Sequence, residues 1–148
     1  MASTNLSQAE YRALAAFRHE LRRFLRFSEE AARAVGLEPR QHQLLLAVRG
    51  MPAGTAATVG ALAERLQLRH HSTVELIDRS QARGLVRRSA PGGDRRRVFV
   101  VLTAAGARVL RRLSLAHRTE LRTVATRLAA ALAALRGRPP RRSRAPAG

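Results

Sequence analysis

The 148-residue sequence contains no cysteine. That excludes disulfides, thiol redox sensing, cysteine nucleophiles and cysteine-ligated zinc. No apolar run approaches the length of a membrane span, so a membrane-embedded protein is not expected. The start, "MASTNLSQAEYRAL", lacks the charged lead and apolar core of a secretory signal, which points to a cytoplasmic protein. There is no Gly-rich phosphate loop and no nucleophile elbow. The ten acidic residues are scattered and mostly sit beside Arg, leaving no plausible carboxylate pair. An enzyme is therefore not expected, nor a cofactor.

Lysine is absent as well, so all 28 basic residues are Arg. Coding bias in a GC-rich genome explains Arg in place of Lys. It does not explain 28 basic residues against 10 acidic ones, a formal net charge of +18 and a pI near 12.0. Such an excess favours a polyanion, above all double-stranded DNA. Apolar residues make up 45%, enough for one domain with a single core.

Ser7 and Glu10 have capping-box spacing and open a long helical pattern that ends near Val35-Gly36. Glu38-Pro39 starts a second helix, with Leu44, Leu45 and Val48 as its buried face. Thr58 caps a short third helix through Leu66, with Val59, Leu62, Ala63 and Leu66 inward. After a break at Gln67 to His71, a fourth helix runs from His71 or Ser72 to Arg83, with Gly84 as the glycine beyond its end. Ser72 and Glu75 also have capping-box spacing. Leu85–Ser89 and Arg97–Leu102 read as two strands joined around Pro91-Gly92-Gly93. Thr103 caps a fifth helix with apolar residues recurring to Leu135 and a bend or break expected near Ser114 to Thr119. The segment 136–148 is Pro, Gly and Arg, including Arg136, Arg138, Arg141, Arg142 and Arg144, and reads as a disordered basic tail.

Two short helices across a tight break, followed by a hairpin with a basic tip, form a winged helix-turn-helix. Its second helix is narrow enough for the major groove, and the hairpin can reach backbone or minor groove beside it. The fold class is therefore mainly α with a small β-hairpin wing, and long N- and C-terminal helices for dimerisation. Arg69, His70, His71, Ser72, Thr73, Glu75 and Arg79 are the expected contacts on the break and the fourth helix. Asp94, Arg95, Arg96 and Arg97 are those on the wing. Glu75 can accept from a cytosine amino group or cap its helix. Arg87 and Arg88 alternate faces, so at most one points at DNA. One such module reads few base pairs. Two copies about 34 Å apart match one turn of DNA, and only the long first and last helices offer apolar surface for pairing, with Leu6, Leu128, Leu132 and Leu135 as candidates.

The stretches "LAERLQLRHHSTVELIDRSQARGLVRR" and "GGDRRRVFVVLTAAG" resemble the MarR-type multiple antibiotic resistance regulators. Asp78-Arg79, Gly84-Leu85-Val86, Asp94-Arg95-Arg96 and the Leu-Thr leading to Gly106 fall at that family's spacing, over about Leu6 to Leu135. The resemblance implies one domain over 1–135, with dimerisation parts near 6–36 and 104–135 and the winged helix-turn-helix over 38–103. It implies a homodimer on a palindromic operator, a repressor released by a small aromatic or anionic effector, and Arg96 lining the minor groove with Asp94 orienting it. Glu75 and Ser80 depart from the family pattern; an apolar residue is usual at 80, and looser packing is expected there. His19, His42 and His117 lie on helices that converge near the family's effector cleft, which makes Phe17, His42 and His117 the effector candidates. No metal is expected, since the histidines lack paired spacing; a metal-responsive repressor ranks below the other readings. The alternative class is a sequence-tolerant DNA-coating protein dominated by the +18 charge.

Overall fold

In a computed structural model, residues 5–136 are described, as five α-helices and one hairpin: α1 Gln8–Ala34, α2 Pro39–Arg49, α3 Val59–Leu66, α4 His70–Ala82, β1 Val86–Ser89, β2 Phe99–Leu102 and α5 Ala104–Leu135. The segment read as a basic tail lies outside the described residues except for Arg136. Residues 28–117 form one compact unit, and residues 8–27 of α1 with 118–135 of α5 form another.

The helix starts follow the capping chemistry. At α1 the Glu10 carboxylate accepts from Ser7 N–H at 2.6 Å, and Ser7 Oγ accepts from Glu10 N–H at 3.2 Å. At α3 the Thr58 hydroxyl accepts from Ala61 N–H at 3.2 Å. The helix ends share a second device. After α1, α3 and α4 a residue with positive φ (Gly36, Gln67, Gly84) reverses the chain, and the next amide bonds back five residues, Leu37 to Ala32, Leu68 to Ala63 and Leu85 to Ser80, at 2.9–3.0 Å. Each of these Schellman closures turns a leucine inward. Gln67 adopts this left-handed form with φ 54° although it is not glycine, and its side-chain amide donates to the Glu64 carbonyl at 2.7 Å.

In the unit 28–117 the core is aliphatic: Leu44, Leu45, Leu62, Leu76, Ile77, Val86 and Val100 are nearly or fully enclosed. Val59, Leu66 and Val48 are only partly buried against it. The strands pair antiparallel with Val86 opposite Leu102 and Ser89 opposite Phe99, and Val100 N–H donates to the Ala57 carbonyl at 2.9 Å.

The join between hairpin and α5 explains the Leu-Thr-Ala-Ala-Gly sequence. The Thr103 hydroxyl donates to the Gly84 carbonyl at 2.6 Å and accepts from Gly106 N–H at 3.0 Å, while Thr103 N–H donates to the Leu85 carbonyl at 3.1 Å. A Cβ on Gly106 would overlap the Leu85 carbonyl, so the close approach of helix to strand requires glycine here.

Four expectations are corrected. α4 begins at His70 with Arg69 as its N-cap, and no side chain caps it, so Ser72 sits inside the first turn and does not cap. β2 begins at Phe99, because Arg95–Arg97 form a 3-10 turn begun by the Asp94 side chain. α5 runs unbroken through Ser114 to Thr119, where Arg118 and Thr119 face solvent and the buried His117 bonds back to the Leu113 carbonyl one turn earlier. Packing at Ser80 is not loose either: the residue is fully buried, and its hydroxyl donates to the Leu76 carbonyl at 2.8 Å.

In the other unit Ala13, Val124 and Ala131 are buried. The enclosed Glu20 carboxylate lies 3.7 Å from Arg23 and 3.8 Å from Arg127. Tyr11, Leu14, Leu21, Leu121 and Leu132 remain exposed on these helix ends.

Candidate nucleic-acid interface

The sharp break between α3 and α4 comes from the left-handed Gln67, which redirects the chain within three residues. One face of α4, carrying Thr73, Leu76, Ile77 and Ser80, is sealed in the core. The opposite face presents Arg69, His70, His71 and Glu75 to solvent, with Ser72 half-buried. Thr73 departs from its expected role: it is fully buried and its hydroxyl donates to the Arg69 carbonyl at 3.0 Å, so it holds the first turn instead of facing outward. Glu75 is exposed and caps nothing, because the helix starts five residues before it.

Beside this face the hairpin turns through Gly92 and Gly93, both at positive φ. Asp94 Oδ1 accepts from Arg96 N–H at 3.0 Å and from Arg96 Nε–H at 3.3 Å. The side chain of Arg96 is otherwise 92% exposed. A pair this exposed adds little stability. Its effect is to restrict the guanidinium, lowering the entropy lost when that group binds. Arg95 and Arg97 are exposed and flank it.

Two contacts that the sequence reading missed tie these parts together. Arg88 on β1 donates to Asp78 at 2.6 Å and to Gln81 at 2.8 Å, both on α4. Arg87, the neighbour on the other face of the strand, stays exposed. At the far end of α4, Arg79 lies 3.4 Å from Glu38 and Arg83 donates to Gln41 at 3.0 Å, anchoring the helix to the start of α2. Arg79, expected at the interface, is thus engaged by Glu38. The motif Asp78-Arg79 was visible, but partners ten and forty-one positions away were not.

Among the effector candidates, His42 and His117 meet, with ring centroids 4.7 Å apart. His117 Nδ1–H donates to the Leu113 carbonyl at 2.7 Å, so Nε2 accepts from the Ser28 hydroxyl, also at 2.7 Å. Burial, with the neighbouring His117 second, pushes His42 down from 6.5 to about 4, so it is neutral near pH 7. Phe17 is half-buried and His19 exposed, both on the part of α1 in the other unit. Among the described residues no three His, Asp or Glu side chains are grouped to hold a metal ion, and no helix is long and apolar enough to cross a membrane.

The MarR family model matches residues 35–97, which span α2, the helix-turn-helix and most of the wing. That match covers 63 of the 148 residues. Solved structures extend the likeness in fold across most of the chain. AbsC, a MarR family transcriptional regulator from Streptomyces coelicolor, is similar with a TM-score of 0.66 and 23% identity over 82% of each chain. A MarR family protein from Bacillus stearothermophilus gives 0.67 and 21% identity, covering 81% of this chain and 82% of that one. An S. aureus MepR variant bound to an oligodeoxyribonucleotide gives 0.61 and 16%, covering 74% and 79%. No curated protein matches in sequence. The chain therefore has the fold of MarR transcriptional regulators, mainly helical with a two-stranded wing and long terminal helices.

Proposed function

We propose that this protein is a DNA-binding transcriptional regulator that acts as a homodimer on a palindromic operator, as a repressor relieved by a small aromatic or anionic effector. The observation that carries this reading is the exposed first turns of α4 set beside an Arg-tipped wing, the two held together by Arg88. α4 enters the major groove with His70, His71, Ser72 and Glu75 near base edges and Arg69 on phosphate. Arg96, steadied by Asp94, reaches the minor groove, with Arg95 and Arg97 on the backbone. The DNA-bound state of the MepR variant supports the same use of this fold. The exposed leucines on the ends of α1 and α5 are the surface for a second copy. Residues 1–135 act as one regulatory domain and 136–148 as a basic appendage.

Footprinting on the gene's own upstream DNA tests the proposal. A single protected palindrome at moderate salt is expected, together with a dimer by light scattering. Replacing Arg96 by Ala should weaken operator binding about 5- to 150-fold, the equivalent of losing one specific contact of about 1–3 kcal/mol. Uniform protection that disappears with salt would instead identify a sequence-tolerant DNA-coating protein.

A further inference from the structure

Residues 8–27 of α1 sort their side chains into three strips. Ala13, Phe17, Glu20 and Phe24 are buried or half-buried. Leu14, Leu21 and Leu25 form an exposed apolar strip, part of the surface assigned above to a second copy. The remaining arc carries Arg12, Arg18, His19, Arg22, Arg23 and Arg26, all exposed. At about 3.6 residues per turn these six fall within roughly 140° around the helix axis, and Arg12 to Arg26 spans about 21 Å along it. No exposed carboxylate lies within the arc. Glu10 is committed to Ser7 at the helix start. Glu20, the one acid between residues 11 and 28, is enclosed and lies 3.8 Å from Arg127 of α5. Arg18, Arg22 and Arg26 stand four residues apart, a spacing at which like charges destabilise a helix. The rest of α1 is built differently: Glu29 and Glu30 are exposed there, and Arg33 lies 3.4 Å from Glu29. The excess of positive charge is therefore local to residues 12–26.

We propose that this basic arc is a second surface for double-stranded DNA, which grips phosphates without reading bases and acts independently of α4 and the wing. It belongs to the other compact unit from those two elements. Each guanidinium is a fork of donors that matches phosphate oxygens, and it stays charged at any working pH. A run of about 21 Å lies alongside about six successive phosphates of one strand, at about 3.4 Å each along the duplex axis. A row of charges on one rigid helix meets such a strand without the cost of ordering a loop. An acidic membrane surface is the competing polyanion, and it calls for apolar side chains set among the basic ones. From Arg12 to Arg26 the only other residue on the arc is Ala15, which is too small to anchor in a bilayer. The leucines beside it are claimed by the second copy in the proposed dimer. Contacts of this kind add affinity for any sequence and make it strongly dependent on salt.

The test is the salt dependence of full-chain binding to a short duplex of random sequence, read by fluorescence anisotropy. The triple variant Arg12→Gln, Arg22→Gln, Arg26→Gln should flatten the slope of log affinity against log salt by about 3, since each phosphate contact contributes about 0.9. A control triple variant, Arg40→Gln, Arg112→Gln, Arg122→Gln, removes the same charge from exposed positions off the arc and should change the slope by less than about 1, as screened charges do. Circular dichroism and light scattering check that fold and oligomeric state match the parent. Should the arc variant fail that check, Arg12→Gln with Arg22→Gln replaces it, with an expected change of about 2. An unchanged slope, or equal changes in the arc and control variants, would overturn the proposal. So would a loss confined to operator DNA, since the arc would then serve sequence reading or the dimer. Phosphatidylserine vesicles are the rival partner: binding to them that the arc variant abolishes, with duplex binding intact, would count against DNA and for a membrane. A chain that protects no operator yet keeps the arc-dependent slope would sink the regulator reading and leave this surface standing.

Discussion

Gly106 is where a single methyl group has the largest calculable effect. Ordinarily Gly→Ala within a helix stabilises by about 1 kcal/mol. Here the added Cβ would overlap the Leu85 carbonyl, and backbone cannot step aside as a flexible side chain can. Separating the two shifts α5 from the strand and disturbs the three hydrogen bonds that Thr103 makes with Gly84, Leu85 and Gly106. At about 1 kcal/mol net for each bond, plus about 1–3 kcal/mol for overpacking, the loss exceeds the helix gain by roughly 3–5 kcal/mol. That is a large share of the 5–15 kcal/mol typical of a folded domain. Urea denaturation followed by circular dichroism measures it. Gly60→Ala in α3 is the matched control: its Cβ meets nothing within 4 Å, so it should be neutral or stabilising by up to about 1 kcal/mol. If Gly106→Ala proved as stable as the parent, or if both variants moved the midpoint in the same direction, the account of the Thr103 junction would be wrong.

Three further outcomes follow from the structure. Stability should fall as pH drops from 6.5 to about 4, because the unfolded chain protonates at position 42 while the folded one resists. The effect is at most about 3 kcal/mol, and His42→Gln should flatten that part of a denaturation profile measured at several pH values. Thr58→Ala removes the α3 cap and should cost about 1 kcal/mol by the same urea assay. Asp78→Asn loosens the tie to Arg88, so affinity for the operator should fall more than affinity for random DNA when both are read by fluorescence anisotropy.

Helix ends were legible where a side chain or a glycine performs the closure. Ser7 with Glu10, Thr58 and Gly84 all lie in the sequence at the positions their hydrogen bonds require. The start of α4 was misread because Arg69 leaves it uncapped, while Ser72 and Glu75 mimic a cap one turn too late. The shortened β2 has a local cause as well: Asp94 draws in the Arg96 amide and bends the chain before pairing can begin. Contacts between residues far apart in sequence, Arg88 with Asp78 and Arg79 with Glu38, leave no trace in periodicity. Thr73 shows the same limit at a single residue, since its position suggested an outward hydroxyl and only the packed helix shows it turned back to Arg69.

The tie between α4 and β1 also restricts how such a protein can change what it reads. Of the thirteen residues of α4, Thr73, Leu76, Ile77 and Ser80 are committed to the core, Asp78 and Gln81 to Arg88, and Arg79 to Glu38. Variation that leaves the scaffold intact is confined almost entirely to His70, His71, Ser72, Val74 and Glu75. If α4 reads DNA as proposed, its share of any change in target sequence falls to those five positions of the first two turns, and a library built to alter specificity on this helix should randomise them while holding 76–81 fixed.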